Sequence, residues 1–255
     1  MPYRPEPVPV QLSDVYAMDF GRRTADLPLW AALRGLYPSG SVCEIGVGDG
    51  RASLALPGPR YGVDLDRAFV YRARERGIEA FLGDAAEPAT WLPIPADCGL
   101  VFCAFSTLFL VKHDRQADVL RNAAAKLRPG GCLSVEVFLP VRDAVIPSHD
   151  APVGNPNGVG EPWTRRTTYS VRDHGDGTGT TRAHRLYGQG RDDWRMELDE
   201  LIYWRTPESL VALFAEAGLP DAFASVRNNV VPGGLRPNIP DGSALVSWVR
   251  PLEAR

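Results

Sequence analysis

The sequence predicts an α/β fold, in which a doubly wound, mostly parallel sheet carries an antiparallel cap inserted after its fifth strand. The prediction depends on three features. Between residues 41 and 139, short apolar stretches alternate with helical ones. Three glycines at alternate positions follow the first apolar stretch, within residues 42–50 (VCEIGVGDG). Residues 140–204 change to a proline-rich loop and extended segments of alternating polarity, before a helix and two final strands.

Composition restricts the class of protein. Of 255 residues, 44% are hydrophobic and 23% are charged, which suits a globular protein with one large domain or two small ones. The net charge of −3 and the lack of a long basic block argue against nucleic acid as a partner. No apolar run is long enough to span a bilayer, and the amino terminus resembles neither a signal peptide nor a transit peptide. We therefore expect no membrane partner.

The four cysteines are expected to be reduced and mostly buried, as in a cytoplasmic protein. They lie in or beside apolar strand-like stretches, without C-x-x-C partners, at Cys43, Cys98, Cys103 and Cys132. No metal site is expected, because no pairing of His and Cys has the spacing of zinc ligands.

The first 40 residues are expected to form a helical arm. Residues 1–12 are proline-rich, and residues 13–36 have apolar side chains at helical spacing. Ser13 is the expected cap of the first helix, and Pro28 is expected to start or kink the second segment.

The central part of the chain is expected to supply five strands with helices between them. An acid, Asp114, is positioned to cap the last of these helices, and Pro129-Gly130-Gly131 is positioned to stop it. The expected strands are 42–45, 60–64, 78–82, 100–105 and 132–139, and the expected helices are 51–56, 67–76 and 114–127.

After the fifth strand, a long loop over 140–162 and an antiparallel sheet are expected. The predicted cap strands are 163–172, 180–187 and 194–204, with a hairpin at residues 174–179. Thr206-Pro207-Glu208 begins a late helix, and strands follow at 222–231 and 243–250. The predicted organisation is an arm (1–40), a cofactor-binding core (41–139 and 205–255) and a substrate cap (140–204).

The glycine loop indicates a cofactor that contains a nucleoside, because glycine allows a ligand to lie against the backbone. A dinucleotide site reads G-x-G-x-x-G, whereas here the third glycine, Gly50, comes one residue early and Arg51 follows it. Asp64 ends the second strand, where a carboxylate can bind both hydroxyls of a ribose. That feature suits NAD and S-adenosylmethionine equally.

Two further segments distinguish these cofactors. Gly83-Asp84-Ala85 ends the third strand, and residues 127–131 (LRPGG) lead into the fifth. Together with the glycine loop and Asp64, in this order, they make the chain resemble a class I S-adenosylmethionine-dependent methyltransferase of the small-molecule type. The resemblance covers about residues 40 to 140 and implies a Rossmann-like sheet of seven strands. Residues 214–219 (FAEAGL) also resemble the late helix end of the family.

The resemblance implies that S-adenosyl-L-methionine is the cofactor and suggests a role for each acid. Glu44 is expected near the positively charged end of the cofactor, Asp64 at its ribose and Asp84 at its adenine amino group. The full expected cofactor-binding set is Glu44, Gly46, Gly48, Gly50, Asp64, Leu65, Asp84, Ala85, Cys103 and Tyr16.

The chain also departs from the family pattern. The acid expected early in the fourth strand is displaced to Asp97, and Pro57 cuts the first helix short. The N/D-P-P-Y/F motif of enzymes that methylate amino groups of nucleic acids is absent after strand four, where residues 103–106 read CAFS. The sequence therefore favours a small-molecule acceptor.

Contacts with the acceptor are expected from residues 16–23, from the segment after strand four and from the insertion 140–204. The cap is rich in arginine and aromatic side chains, at Trp163, Arg165, Arg166, Tyr169, Arg185, Tyr187, Trp194 and Tyr203. His113, His149 and Glu136 are the candidate catalytic residues, with a surface histidine or an arginine-paired carboxylate as the alternative for each. His174 and His184 are weaker candidates.

The expected function is methyl transfer to an oxygen or nitrogen of a small molecule, such as a specialised metabolite. Other hypotheses are an enzyme that keeps the cofactor without transferring methyl, such as a cyclase, a non-catalytic binding partner and, more distantly, an NAD oxidoreductase. The oligomeric state stays open, and a homodimer is one of the assemblies compatible with the sequence.

Overall fold

The computed structural model describes residues 11–21, 23–139, 148–155, 161–189, 193–226 and 242–252. They form a seven-stranded sheet and a four-stranded sheet with five α-helices. The strands are β1 Ser41–Ile45, β2 Arg60–Asp64, β3 Glu79–Leu82, β4 Cys98–Cys103, β5 Leu127–Phe138, β6 His149–Val153, β7 Trp163–Asp173, β8 Thr178–Gly188, β9 Trp194–Arg205, β10 Phe223–Val226 and β11 Ser243–Val249. The helices are α1 Leu12–Phe20, α2 Leu27–Leu36, α3 Arg67–Glu75, α4 Gln116–Ala124 and α5 Pro207–Glu216.

The large sheet has the order β10-β11-β5-β4-β1-β2-β3. Strands β1 to β5 pair in parallel, whereas β11 runs antiparallel to both β5 and β10. Every residue of β1 and β4 is buried, as expected for central strands covered on both faces. The doubly wound, mostly parallel fold with an antiparallel insertion after β5 is therefore confirmed.

Apolar clusters fill both faces of this sheet. On one face, Leu29 and Trp30 of α2 are fully buried against Phe102 of β4. On the other, α4 and α5 contribute Leu120 and Phe214 to the larger cluster. The carboxyl ends of β1, β4 and β5 thus meet at one edge of the sheet, where α/β proteins bind ligands.

Helix starts are the least accurate part of the sequence prediction. Residue Gln11 is the cap position of α1, where its backbone N–H donates to Asp14 over 2.8 Å, so the prediction of Ser13 as the cap is wrong. Asp114 lies in a 3₁₀ turn before α4 rather than at its cap position. Thr206 does cap α5, because its hydroxyl accepts from the backbone N–H of Ser209 over 3.2 Å.

The segment at residues 127–131 is part of strand β5, although it was expected to end a helix. The N–H of Gly130 donates to the carbonyl of Arg250 over 2.9 Å, and the N–H of Arg250 donates to Gly131 over 2.9 Å. The chain beyond β11 therefore supplies partners that the local sequence does not reveal, and β5 begins at Leu127.

The cap sheet has the order β6-β7-β8-β9, all antiparallel, with the expected hairpin between β7 and β8. Strand β6 lies inside the stretch 140–162 that was predicted as a loop, so that prediction is wrong for residues 149–153. β6 contains Pro152, which an edge strand tolerates because one side of it needs no ladder donor. Residues 227–231, the end of a predicted strand, lie outside the described residues.

The four cysteines are free and buried, as predicted. Among the helices of the described ranges, none combines the length and the apolar character needed to cross a membrane.

Candidate cofactor and acceptor site

The glycine loop after β1 leaves an open space at its centre. Gly46, Gly48 and Gly50 all have positive φ, at 68°, 52° and 83°. A Cβ at Gly46 would lie 2.2 Å from Thr107 Cγ2, and one at Gly50 would lie 2.1 Å from Ile78 Cδ1. A Cβ at Gly48 would meet nothing within 4 Å. The outer glycines therefore pack against the protein, while Gly48 faces space that a ligand could fill.

Asp64 connects the end of β2 to this loop. Its carboxylate accepts from the N–H of Gly48 over 2.8 Å and from the N–H of Asp66 over 2.9 Å. Burial raises the pKa of the Asp64 carboxyl, and the two backbone donors oppose that shift. Beside it, Leu65 is 74% exposed, which is unusual for a large apolar side chain. A carboxylate and an apolar surface thus lie together at this strand end.

Asp84 and Ala85 follow β3. Asp84 accepts from the N–H of Ala86 over 2.8 Å, which leaves its second carboxylate oxygen free of any described bond. The carbonyl of Ala85 accepts from Trp91 Nε1 over 2.8 Å and from Asn122 Nδ2 over 3.2 Å. These bonds hold the turn after β3 in a defined conformation.

Glu44 is buried near the end of β1. Its Oε2 accepts from the hydroxyl of Ser53 over 2.6 Å and from the Ser53 N–H over 3.1 Å. Burial raises the pKa of Glu44 to about 8, although the bonds from Ser53 oppose the shift. Glu44 is therefore an acid that a nearby positive charge would ionise.

An ion pair fastens the segment between α1 and α2 to the glycine loop. Both terminal nitrogens of Arg51 donate to Asp26, each over 2.7 Å, and Trp30 Nε1 donates to the same carboxylate over 3.1 Å. Arg51 also donates to the carbonyl of Arg23 over 2.8 Å and lies 5.2 Å from the ring centre of Phe105. Sequence reasoning missed Asp26, because no local pattern distinguishes it from an exposed loop acid.

Two other expected cofactor residues occupy different environments. The Cys103 side chain is fully buried in the core at the end of β4, and burial raises the pKa of its thiol. Tyr16 of α1 lies at the boundary of core and cap, with its ring edge-on to Phe69 of α3 at 5.4 Å. Burial is the main cause that raises the pKa of Tyr16 to about 12.

A cavity of about 780 Å³ opens between the large sheet, the arm and the cap. All three segments expected to contact an acceptor contribute to its wall. The described lining residues are Tyr16, Phe20, Arg23, Thr24, Ala25, Asp26, Phe105, Ser106, Leu110, Glu136, Phe138, Leu139, Arg165, Tyr169, Val171, Thr181, Arg185, Glu200, Ile202 and Ser243. A volume of this order is typical of sites for small organic molecules.

The turn after β4 forms a strained part of the cavity wall. Phe105 and Ser106 both have φ of 59°, a left-handed conformation that is costly for such residues. Glu136 of β5 holds the turn: its Oε2 accepts from the Phe105 N–H over 2.8 Å, and its carbonyl accepts from Ser106 over 3.1 Å. Burial raises the pKa of the Glu136 carboxyl. Strain maintained at a cavity wall is a mark of a functional site.

The cap arginines in the cavity wall are held by acids. Arg165 donates to both oxygens of Asp19 over 2.7 and 2.8 Å, and Tyr187 donates to the same carboxylate over 3.0 Å. Arg185 pairs with Glu200. The cap is thereby tied to α1, which carries Asp19.

The structure separates the three candidate catalytic residues. Glu136 lines the cavity, whereas the described wall includes neither His113 nor His149. His113 Nε2 is 3.1 Å from the carbonyl of Trp204, and burial lowers the pKa of its imidazole. His149 is exposed and stacks at 6.2 Å on Tyr169, which does line the cavity. Of the remaining histidines, His184 bonds to Glu197 on the outer face of the cap.

Comparison with known proteins agrees with this architecture. Residues 42–131 match the family described as "Methyltransferase domain". Isonocardicin synthase from Nocardia uniformis subsp. tsuyamanensis is 36% identical over 110 residues, which are 42% of this chain and 35% of that protein. The chain thus spans about a third of the length of this relative.

Solved structures resemble the whole chain. DesVI of Streptomyces venezuelae superposes with a TM-score of 0.69 at 20% identity, over 95% of this chain and 99% of that one. CalS10, an amino pentose methyltransferase from Micromonospora echinaspora, gives 0.66 at 19% identity, over 97% and 100%. At such identities the likeness shows the fold.

The matched domain, the fold and the ordered motifs at the ends of β1, β2 and β3 together define the class. Residues 42–131 match a methyltransferase domain, and the described fold is that of the class I S-adenosylmethionine-dependent methyltransferases.

Proposed function

We propose that the protein transfers a methyl group from S-adenosyl-L-methionine to an oxygen or nitrogen of a small-molecule acceptor. The observation that carries the proposal is the cavity at the carboxyl ends of β4 and β5, roofed by the cap. An ion pair connects the cavity wall to the glycine loop: Asp26 lines the cavity, and Arg51, which follows the loop, pairs with it. A cofactor held at the loop and an acceptor in the cavity would therefore be neighbours.

The residues after β1, β2 and β3 fit this cofactor. The space over Gly48 admits the ligand, the carboxylates of Asp64 and Asp84 accept from its hydroxyl and amino groups, and Leu65 offers an apolar surface to its base. Glu44 supplies negative charge for the cationic end. When bound, S-adenosylmethionine supplies a methyl group activated by a sulfonium. Gly46, Gly50, Ala85, Cys103 and Tyr16 complete the set that we propose around it.

We propose that different segments of the chain bind the cofactor and the acceptor. The core, residues 41–139 and 205–255, binds the cofactor, while the cap and the arm shape the acceptor site. Their walls exclude water and align the acceptor, which accounts for much of the acceleration of a displacement reaction. Of the acids in the described wall, Asp26 and Glu200 are paired with arginines, and Glu136 is the one that we propose takes a proton from a hydroxyl or an ammonium group.

The acceptor that we propose is a specialised metabolite with apolar surface. The wall is apolar on the side of Leu110, Phe138, Val171 and Ile202. The structural neighbour CalS10 is described as involved in calicheamicin biosynthesis, which supports an acceptor of this kind. The free buried cysteines support a reducing compartment, and we propose the cytoplasm.

The test begins with calorimetric titration of the purified protein with S-adenosylmethionine and S-adenosylhomocysteine. Binding, followed by products that carry one added methyl group in mass spectra of reactions with candidate acceptors, would support the proposal. Absence of cofactor binding would refute it in favour of a non-catalytic partner. Binding with a product that gains no methyl group would instead support the cyclase alternative.

A further inference from the structure

One arginine of the cavity wall has no acidic partner among the described residues. This residue, Arg23, lies in the segment between α1 and α2 and lines the cavity. The other arginines at the cavity are neutralised. In the wall, Arg165 pairs with Asp19 and Arg185 pairs with Glu200, and next to the wall Arg51 pairs with the lining residue Asp26. A guanidinium without an ion-pair partner therefore lies at the cavity, while the other arginines there are compensated.

Both the backbone and the guanidinium of Arg23 are held in position. Its carbonyl accepts from Arg51 over 2.8 Å, and its backbone N–H donates to the carbonyl of Phe20 over 3.0 Å. The guanidinium carbon lies 4.7 Å from the ring centre of Phe20 and 5.5 Å from that of Phe105. Stacking engages the face of a guanidinium and leaves the N–H donors at its edge for other partners. An oriented donor loses little conformational entropy when a ligand binds.

The neighbouring acids do not neutralise this cation. Asp26 is 2% exposed, and both its oxygens are taken: one bonds to Arg51, and the other bonds to Arg51 and Trp30. Glu136 accepts from the N–H of Phe105. The unmatched positive charge of Arg23 therefore favours an anionic group brought by a ligand.

We propose that Arg23 binds a carboxylate of a ligand of this site. The proposal rests on the proposed function, which supplies two sources for that carboxylate. One is the amino-acid end of the cofactor, since Arg51 joins Arg23 to the glycine loop. The other is an acid group on the acceptor, since Arg23 also lines the cavity. A guanidinium suits either, because its paired donors match the two oxygens of a carboxylate.

Calorimetric titration of wild type, Arg23→Met and Arg23→Lys with two nucleosides tests the first source. S-adenosylhomocysteine carries the carboxylate, whereas 5′-methylthioadenosine has the same thioether-linked nucleoside without it. If the cofactor is the source, Arg23→Met weakens S-adenosylhomocysteine by roughly tenfold to a hundredfold and leaves 5′-methylthioadenosine unchanged. The affinity of Arg23→Lys for S-adenosylhomocysteine should lie between those of wild type and Arg23→Met, because lysine keeps the charge but lacks the paired donors of a guanidinium.

Titration of benzoate into protein saturated with S-adenosylhomocysteine tests the second source, with uncharged benzamide as the matched ligand. If the acceptor is the source, Arg23→Met loses benzoate binding by a similar factor and keeps its affinity for S-adenosylhomocysteine and benzamide. Arg182→Met is the matched variant, because it removes one positive charge from an exposed cap arginine paired with Asp199. We expect it to bind all four probes like wild type.

The outcomes separate this inference from the proposed function. A wild-type protein that binds neither nucleoside would overturn both. A wild type that binds S-adenosylhomocysteine, with an Arg23→Met variant that matches it for every probe, would overturn only the carboxylate role of Arg23. An equal loss for S-adenosylhomocysteine and 5′-methylthioadenosine would also overturn that role, because the effect would not depend on a carboxylate.

Discussion

Two buried carboxylates, Glu44 near the end of β1 and Glu136 near the end of β5, have different surroundings. Glu44 accepts from Ser53, inside the protein, whereas Glu136 accepts from Phe105 and lines the cavity. Burial raises the pKa of both, since each lacks a directly bonded basic partner in the described chain. Their locations suggest separate roles, one toward the cofactor and one toward the acceptor.

Glu44 is expected to make the stability of the protein depend on pH. Its pKa is raised from 4.5 to about 8 in the folded state, so the folded state holds a proton that the unfolded chain has released between these values. The free energy of unfolding contributed by Glu44 is full below about pH 4.5 and falls as the pH rises to about 8. Relative to Glu44→Gln, whose amide oxygen can accept from Ser53 at every pH, wild type should lose up to roughly 5 kcal/mol across this window.

Urea denaturation of both proteins over the same pH series measures this difference. Parallel curves for wild type and Glu44→Gln would contradict the prediction, because the variant cannot titrate at this position.

Glu136 is expected to act as a proton acceptor as well as a support for the turn at Phe105. In Glu136→Gln the amide oxygen can still accept from the Phe105 N–H, whereas Glu136→Ala removes that support too. We expect kcat to fall by roughly a hundredfold or more in Glu136→Gln. Because the carboxylate is the active form, wild-type kcat should rise with pH through a pKa above that of an ordinary glutamate, and this rise should vanish in the variant.

Steady-state kinetics with an identified acceptor decide between the two roles. Near-normal kcat in Glu136→Gln, with loss only in Glu136→Ala, would show that Glu136 merely positions the turn.

At the scale of elements, the glycine loop shows how three similar residues serve different purposes. Gly46 and Gly50 are required by the protein itself, because Thr107 and Ile78 occupy the positions next to them. Gly48 faces open space, so its lack of a side chain matters for a ligand. The same loop is tied to Asp64 by the Gly48 N–H, which couples its conformation to the end of β2.

Replacing these glycines one at a time should separate binding from folding. Gly48→Ala should lower the free energy of unfolding by about 1 to 2 kcal/mol, because alanine is disfavoured in the left-handed conformation. It should also abolish cofactor binding, because the added methyl group would occupy the open space over the loop. Gly50→Ala should destabilise more strongly, because its Cβ would lie 2.1 Å from Ile78 Cδ1. Thermal denaturation and titration with S-adenosylhomocysteine measure both effects. A Gly48→Ala protein with normal affinity would show that the ligand lies elsewhere.

At the scale of the whole molecule, the amino-terminal arm joins the parts that build the cavity. Each of the three acids in its described part, residues 11–21 and 23–40, pairs with an arginine from a different place. Asp14 pairs with Arg72 of α3, Asp19 with Arg165 of the cap, and Asp26 with Arg51 after the glycine loop. The arm thereby fixes the distance between core and cap, and it contributes Tyr16, Phe20 and Arg23 to the cavity.

Removing the charge of Asp19 should loosen the arm from the cap. In Asp19→Asn the buried Arg165 loses its counter-charge, which should cost about 3 kcal/mol. Hydrogen exchange measured by mass spectrometry should become faster in residues 12–20 and in β7, and the KM of the acceptor should rise. Asp199→Asn, at an exposed pair of the same cap, is the matched control. Unchanged exchange in α1 would mean that the arm is held by apolar contacts alone.

Much of the core followed from local patterns. Strand β2 occupies the predicted residues 60–64, and the late helix has its predicted cap at Thr206, because short apolar runs and capping residues act over a few positions. The resemblance based on Gly83-Asp84-Ala85 and its companion motifs led to the class of cofactor. Strand β6 escaped prediction because only its partner β7 stabilises a short polar stretch with a proline.

The sequence by itself determined the order of strands and helices in the core, the glycine loop and, through its resemblance to a family, the class of enzyme, since these depend on residues close together in the chain. Only the tertiary structure decided which side chains line the cavity that we propose for the acceptor. Asp26 meets Arg51, Arg165 meets Asp19, and Glu136 meets the strained turn at Phe105 across long separations. Burial and pairing between distant segments set these contacts, so His113 is set apart from the cavity while Arg23 is left free within it.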